Sequence, residues 1–174
     1  MQFYTLNQII NLFETIATNH AQINGFNFGE VSDISASEQE QYPLLWIDVI
    51  DSSIESNTLS LNMNVKVMDI QKDDQTNERD TLSDCLSIAQ DVYSELTNPI
   101  YQDYFLLSFA TNLTPIREAY ADKVNGWEMT LTFELMQERN RCQIPVKPAV
   151  QVLDFLLLQN GSFLLQQDSS KIII

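Results

Sequence analysis

The chain has 174 residues, is 44% hydrophobic, and sets nine Lys and Arg against twenty-four Asp and Glu, a formal charge of -15 at pH 7. That balance excludes binding nucleic acid by phosphate neutralisation, which needs clustered Lys and Arg, but leaves open a surface that DNA slides past without sticking. No apolar run approaches the ~18 residues of a membrane-spanning helix, and MQFYTLNQII has neither the basic start nor the cleavage site of a secretion signal.

The composition therefore reads as a soluble domain kept in a cytoplasm, large enough to fold without a metal or disulfide. Its two cysteines, Cys85 and Cys142, lack CxxC spacing and read as reduced structural thiols. Residues 5–18 open with Thr5 and Gln8 at capping-box spacing and place Leu6, Ile9, Ile10, Phe13, Ile16 and Ala17 on one stripe, which predicts an amphipathic helix. Residues 20–41 turn polar and glycine-bearing; a short strand is expected over 28–34, then a loop with Phe26 and Phe28 beneath it. YPLLWIDVI, residues 42–50, is a nearly continuous run of strand formers with Pro43 at its start, and predicts a central strand.

DSSIESN then predicts a hairpin loop. Over 58–68, Leu59, Leu61, Met63, Val65 and Val67 alternate with Ser60, Asn62, Asn64 and Lys66, the period of a strand with one wet face. The carboxylate-rich DIQKDDQTNERD leads into a helix over 77–97. Its stripe is Leu82, Cys85, Leu86, Ala89, Val92, Tyr93 and Leu96, and Asn98-Pro99 stops it. Residues 104–109 and 113–120 predict two strands. Asn125-Gly126 predicts a turn into a strand over 127–135, where Trp127, Met129, Leu131, Phe133 and Leu135 alternate with polar residues. Helix, two or three strands, helix, three strands predicts an α+β fold: a mostly antiparallel sheet with both helices on one face. This core domain is expected over residues 1–145, with an extended arm over 146–174.

No catalytic constellation emerges. His20 follows the first helix, where a protonated imidazole would complement the helix terminus, and has no nucleophile or base partner in a recognisable motif. Asp69, Asp73, Asp74, Glu78 and Asp80 could hold a cation, but the glycine of a calcium-binding loop is missing and such acidic loops are usually just hydrated. Lys66 follows Asn64 rather than an acid, unlike the acid-x-Lys strand of metal-dependent nucleases. Four scattered glycines build no phosphate-cradling loop. The expectation is a protein without enzymatic activity, cofactor, metal or small-molecule substrate. The alternatives are a carboxylate-based metal-binding enzyme and a cytoplasmic adaptor. Trp46 and Trp127 fit a strand core or an interface anchor, core being the commoner role.

Five blocks, IATNHAQINGFNFGEVSDI, YPLLWIDV, VMDIQKDDQTNERDTLSDCLSIAQDV, NGWEMTLTFEL and NRCQIP, together resemble a group of tail-completion or tail-terminator-like neck proteins. These are small structural proteins of tailed phages infecting Bacteroidetes, crAss-like phages among them. The blocks run from the N-terminus to about residue 145 and none is a catalytic motif. The resemblance implies a tail-terminator-like α+β subunit of a homo-oligomeric ring, six- or twelve-fold, in the neck or tail of a virion assembled in the bacterial cytoplasm. Its partners would be neighbouring neck, portal and tail proteins, with DNA passing through the channel unbound and no membrane involved. Residues 147–174 extend beyond the resemblance.

In that extension FLLLQNGSFLLQQ predicts a hairpin about Asn160-Gly161, pairing 155–159 with 162–166; a helix over 150–158 is the other reading. A lone hairpin is marginal in water, so this one must pack on its own domain or on a neighbour. The neighbour is the expectation adopted here, with Phe155, Leu157, Phe163, Leu165, Ile172, Ile173 and Ile174 as its contact residues.

Overall fold

The computed structural model describes residues 5–30, 41–72, 76–108, 112–119 and 123–136, all within a compact unit spanning Met1–Glu138. The expected C-terminal arm, with its seven contact residues from Phe155 to Ile174, lies outside the described residues, as do Asp73, Asp74 and Cys142. The expected fold class is what the chain adopts: two α-helices and a six-stranded, mostly antiparallel sheet.

Helix α1 runs Leu6–Asn19. The backbone N–H of Thr5 donates to Gln8 Oε1 at 2.8 Å while Thr5 Oγ1 accepts from Gln8 N–H, a reciprocal capping box that satisfies donors the first turn leaves open. Strand β1, Gly25–Phe28, lies parallel to the start of β2, Leu44–Glu55. Of the strand expected over 28–34, residues 31–34 lie outside the described residues, as does most of the loop after it; β1 begins before it, at Gly25, with Phe28 at its end 41% exposed and Phe26 packed on the core. β2 turns back through Ser56 and Asn57 into β3, Thr58–Ile70.

DSSIESN, expected as a loop, is mostly strand: pairing continues unbroken from Asp51↔Asn62 to Glu55↔Thr58. The turn needs only two residues because Ser56 adopts a left-handed φ of 52°, and two-residue hairpins favour φ > 0 since it matches strand twist. Helix α2 follows as Glu78–Leu96 and is stopped as expected at Asn98-Pro99. There Asn98 Oδ1 accepts from the Ile100 N–H, capping a 3-10 turn over Pro99–Tyr101. Of the strand expected over 104–109, β4, Leu106–Leu107, is what forms among the described residues; β5 is Leu113–Ala119 and β6 Val124–Met136.

β3 is the centre of the sheet, paired with β2 on one side and with β6 along its whole length on the other. β5 and β4 share the far edge of β6. Leu45, Ile47, Val65, Val67, Met129 and Leu131 meet in register on one face and close over α1 and α2 as the main core. An edge-to-face aromatic chain, Phe13 to Phe133 at 6.0 Å and Phe133 to Phe105 at 5.1 Å between centroids, carries that core to the far edge.

The other face is not uniformly wet, as the alternation of β3 suggested. Leu44, Trp46, Met68 and Val124 form a second buried cluster there, and Lys66 beside it is only 4% exposed.

Asn125-Gly126, read as a turn from sequence, sits inside β6, paired with Asp69 and Met68. The glycine serves close approach instead: a Cβ there would collide with the Val67 carbonyl oxygen and stand 2.9 Å from Met68 Cα. Because both obstacles are backbone, Gly126→Ala is expected to cost about 3 kcal/mol or more in urea unfolding, whereas Thr130→Ala, which loses an exposed side chain and its bond to Asn64, should cost well under half that.

Candidate interaction surface

Three places bear on function: the sheet end formed by the β2–β3 hairpin, the polar face beside it, and the groove between the helices. The hairpin end is the most unusual. β1 pairs with β2 only as far as Phe28↔Ile47, and a Gly29 N–H to Ile47 carbonyl bond at 3.1 Å closes that ladder. From Asp48 to Glu55 the outer edge of β2 has no strand partner among the described residues. Every residue from Ile50 to Glu55 is exposed, Ile54 to 67%. The chain places Asp48, Asp51 and Glu55 along this edge and no cation. A bulge between Val49 and Asp51 resets the side-chain parity, so Asp51 and Glu55 share the face that carries Asn62 and Thr58, while Ser52 and Ile54 share the helix-side face with Leu61 and Leu59. Met136, across β3 from the same end, is also exposed, at 59%.

On the polar face, side chains link across three strands. Asn62 donates Nδ2–H to Asp51 Oδ1 at 2.6 Å and accepts at Oδ1 from Thr132 Oγ1–H at 2.6 Å. One step along, Thr130 Oγ1 donates to Asn64 Oδ1 at 3.0 Å. Another step along, Lys66 Nζ stands 3.5 Å from Glu128 Oε2. Each amide or ammonium is opposed by an acceptor, so the face is a set of cross-strand pairs rather than a cleft. These interactions orient β2 from Asp51 outward, where the main core no longer reaches it.

Between the helices, His20 lies against α2. Its Nδ1 accepts from the Gln22 N–H at 3.2 Å, which places the proton of the neutral ring on Nε2, 3.5 Å from Asp91 Oδ2. Thr15, Asn19, Ser94, Glu95 and Tyr101 complete a shallow groove of about 600 Å³, in which the Tyr101 hydroxyl donates to Glu95 Oε1 at 3.4 Å. Gln22 and Asp91 hold the imidazole as a bridge from α1 to α2. The groove hydroxyls of Thr15 and Ser94 donate to the Asn11 and Gln90 carbonyls, each at 2.7 Å.

Of the acidic residues singled out in sequence, Glu78 approaches Arg117 at 3.9 Å and Asp80 sits in the first turn of α2. Asp69 binds its neighbour's Ile70 N–H at 2.8 Å. Among the described residues no group of three His, Cys, Asp or Glu is placed to hold a metal ion, nor is any helix long and apolar enough to cross a membrane. Trp46 is buried with its indole N–H on the Gly29 carbonyl, and half-buried Trp127 donates to the Leu82 carbonyl, both at 2.8 Å. Both tryptophans thus tie elements of this chain together.

What sequence reasoning missed is the hairpin edge. Its one legible signal was Ile54 alternating with Ser53 and Glu55 inside a stretch read as loop. No protein-family model matches the chain, and a search of curated proteins found no match.

Two titrating groups lie under the surface near Asn125. Burial, with the negative charges of Asp69 and Asp84 adding to it, pushes the Cys85 thiol up to about 12. At pH 8 its thiolate fraction is then on the order of 10⁻⁴. In a Cys142→Ser background, a thiol reagent such as DTNB is expected to leave Cys85 unmodified until denaturant is added.

Burial also raises the Asp69 carboxyl above 3.8, with Asp84 adding to the rise and the Ile70 N–H bond opposing it. The folded state therefore holds that proton more tightly than the unfolded chain does, and stability falls as pH rises from 3.8 through the elevated folded value. Asp69→Asn is expected to raise Tm at pH 7 by about 1–3 °C, with the gain shrinking as pH drops toward 3.5, measured by thermal unfolding at both values.

Proposed function

We propose that this chain is a non-catalytic structural subunit that assembles with copies of itself into a ring, in the neck or tail of a tailed phage, bridging portal-side and tail-side proteins around a DNA channel. The observation that carries the assembly part is the β2–β3 end, where the outer edge of β2 has no strand partner among the described residues and Ile50, Ile54 and Met136 are exposed. Open edges template pairing with another chain, and natural proteins usually shorten or cover them. The neck or tail placement rests on the sequence blocks that resemble tail-completion proteins.

Charge supports the same reading. A ring of subunits carrying -15 each repels phosphate within about one Debye length, ~8 Å at physiological salt, so a genome would move through it without adhering. Heterologous contacts that close on themselves yield rings.

The test is assembly. Purified full-length chain, alone and with portal-side or tail-side proteins, is expected to give closed ring particles by negative-stain microscopy, and the protein should be found in virions by mass spectrometry. Removing residues 147–174 should leave a soluble, folded domain that assembles poorly. An unfolded or aggregated truncation would place the arm in its own core, and a chain that binds none of these partners and is absent from virions would overturn the reading.

A further inference from the structure

We infer that His20 is a proton-operated clasp between the end of α1 and the chain entering β1: its neutral ring holds the turn at Gln22, and its charged ring releases that turn and braces α1 against α2. The ring is placed by backbone. His20 caps α1, its own N–H donating to the Ile16 carbonyl at 3.0 Å and the Ala17 carbonyl at 3.3 Å. The imidazole therefore leaves the helix at a fixed point, and only 18% of the side chain is exposed.

Each ring nitrogen has a different task. Nδ1 accepts the Gln22 N–H at 3.2 Å, and Nε2 carries its proton toward Asp91 Oδ2 at 3.5 Å. Only the neutral ring can do both, because a protonated imidazole donates at both nitrogens and accepts at neither. A second proton would arrive on Nδ1 and meet the Gln22 N–H, donor against donor. That contact has to open. The same proton turns the Nε2 contact into an ion pair with Asp91.

The charged groups facing the ring favour the second state. From α2 come Asp91 and, one turn on, Glu95; from the 3-10 turn comes Tyr101, whose hydroxyl is directed to Glu95. α1 contributes Thr15, Ile16 and Asn19 to the groove, and its one charged residue, Glu14, is not among those that line it. Residues 21–28, the turn and β1, carry no titratable side chain. The carbonyl end of α1 adds a partial negative charge. Opposing these is the single Gln22 hydrogen bond. Asp91 is 58% exposed, so its attraction is comparable with one neutral hydrogen bond rather than far above it. Neither contact overwhelms the other, which lets one proton decide between them, and imidazole is the side chain suited to change charge between about pH 5 and pH 8.

The released stretch is short. Ile23 is buried and its N–H reaches the His20 carbonyl at 3.4 Å, while Asn24 and Gly25 donate to the Pro43 carbonyl at 2.9 and 3.3 Å. These bonds hold the entry to β1 whatever the charge on the ring, so the opening is confined to the turn at Ala21 and Gln22.

Hydrogen–deuterium exchange at single-amide resolution reads the clasp, on the full-length protein from about pH 5 to pH 8, each rate taken relative to an unstructured peptide at the same pH. Protection of the Gln22 amide is expected to fall about fivefold toward the acid end, while the amides of His20, Asn24 and Gly25 keep theirs. His20→Gln, which cannot titrate, should abolish that dependence. Asp91→Asn should move the transition to lower pH, because the charged ring loses its partner. Equal Gln22 protection at both ends of the range, or a fall that survives in His20→Gln, would overturn the inference. So would a fall shared by the His20 and Asn24 amides, which would mean a general loosening of this end of α1. A transition that Asp91→Asn leaves in place would overturn the brace to α2.

Discussion

The backbone contact between β3 and β6 at Val67 and Gly126 fixes the parity of the whole sheet. No side chain intervenes there, so the two strands lie close together at Met68↔Gly126 and stay in register from Ile70↔Val124 to Thr58↔Met136. Once that register is set, each alternate residue of β3 has its face decided. Val67, Val65, Met63 and Leu61 go to the helices, and Met68, Lys66, Asn64 and Asn62 go to the opposite face. A slip of one residue would bury the second set and expose the first.

The two faces then take different work. The helix side is a continuous apolar core in which α1 and α2 cover the sheet, and the aromatic chain from Phe13 through Phe133 to Phe105 draws the short β4 edge into it. The opposite face is divided. Near the start of β2 it is apolar and buried around Trp46; toward the hairpin it becomes amide, hydroxyl and carboxylate, joined strand to strand. Lys66 sits at the boundary, where its stem meets the apolar end and its ammonium meets Glu128. The hairpin is thereby held by polar pairs where hydrophobic packing has run out.

Much of this was legible in the sequence, for reasons that are local. The capping box of α1, most of its stripe, the positions Cys85, Ala89, Val92 and Leu96 of α2 and the alternation of β3 each follow from the period of one element and held, whereas Leu6 is exposed, Leu82 and Leu86 stay outside the core and Ile88, not in the expected stripe, is fully buried. The larger misreadings concern what a neighbouring strand does. DSSIESN looks like a loop because serine and acid are weak strand formers, yet β3 supplies a ladder that overrides propensity. Asn125-Gly126 carries the usual hairpin signal, yet the glycine is required by the carbonyl of Val67 in the next strand. Lys66 reads as solvent-facing by alternation alone, and its burial comes from the second cluster. The stretch of β2 without an outer partner among the described residues had no local signature, because it is defined by where β1 stops.

The position of β3 also orders the events of synthesis. Its first partner, β2, precedes it directly and joins through a two-residue turn, so the hairpin can close as soon as it is made. Its second partner is β6, and the Asn62–Thr132 contact joins residues seventy apart in the chain. While a ribosome adds α2 and the short strands, the central strand of the finished sheet is itself an open edge, apolar on one face. A nascent chain of this protein therefore leaves its central strand unpaired on one side from the completion of β3 at Ile70 to that of β6 at Met136, and crowded polysomes, where many such chains lie side by side, are where its folding is most easily diverted.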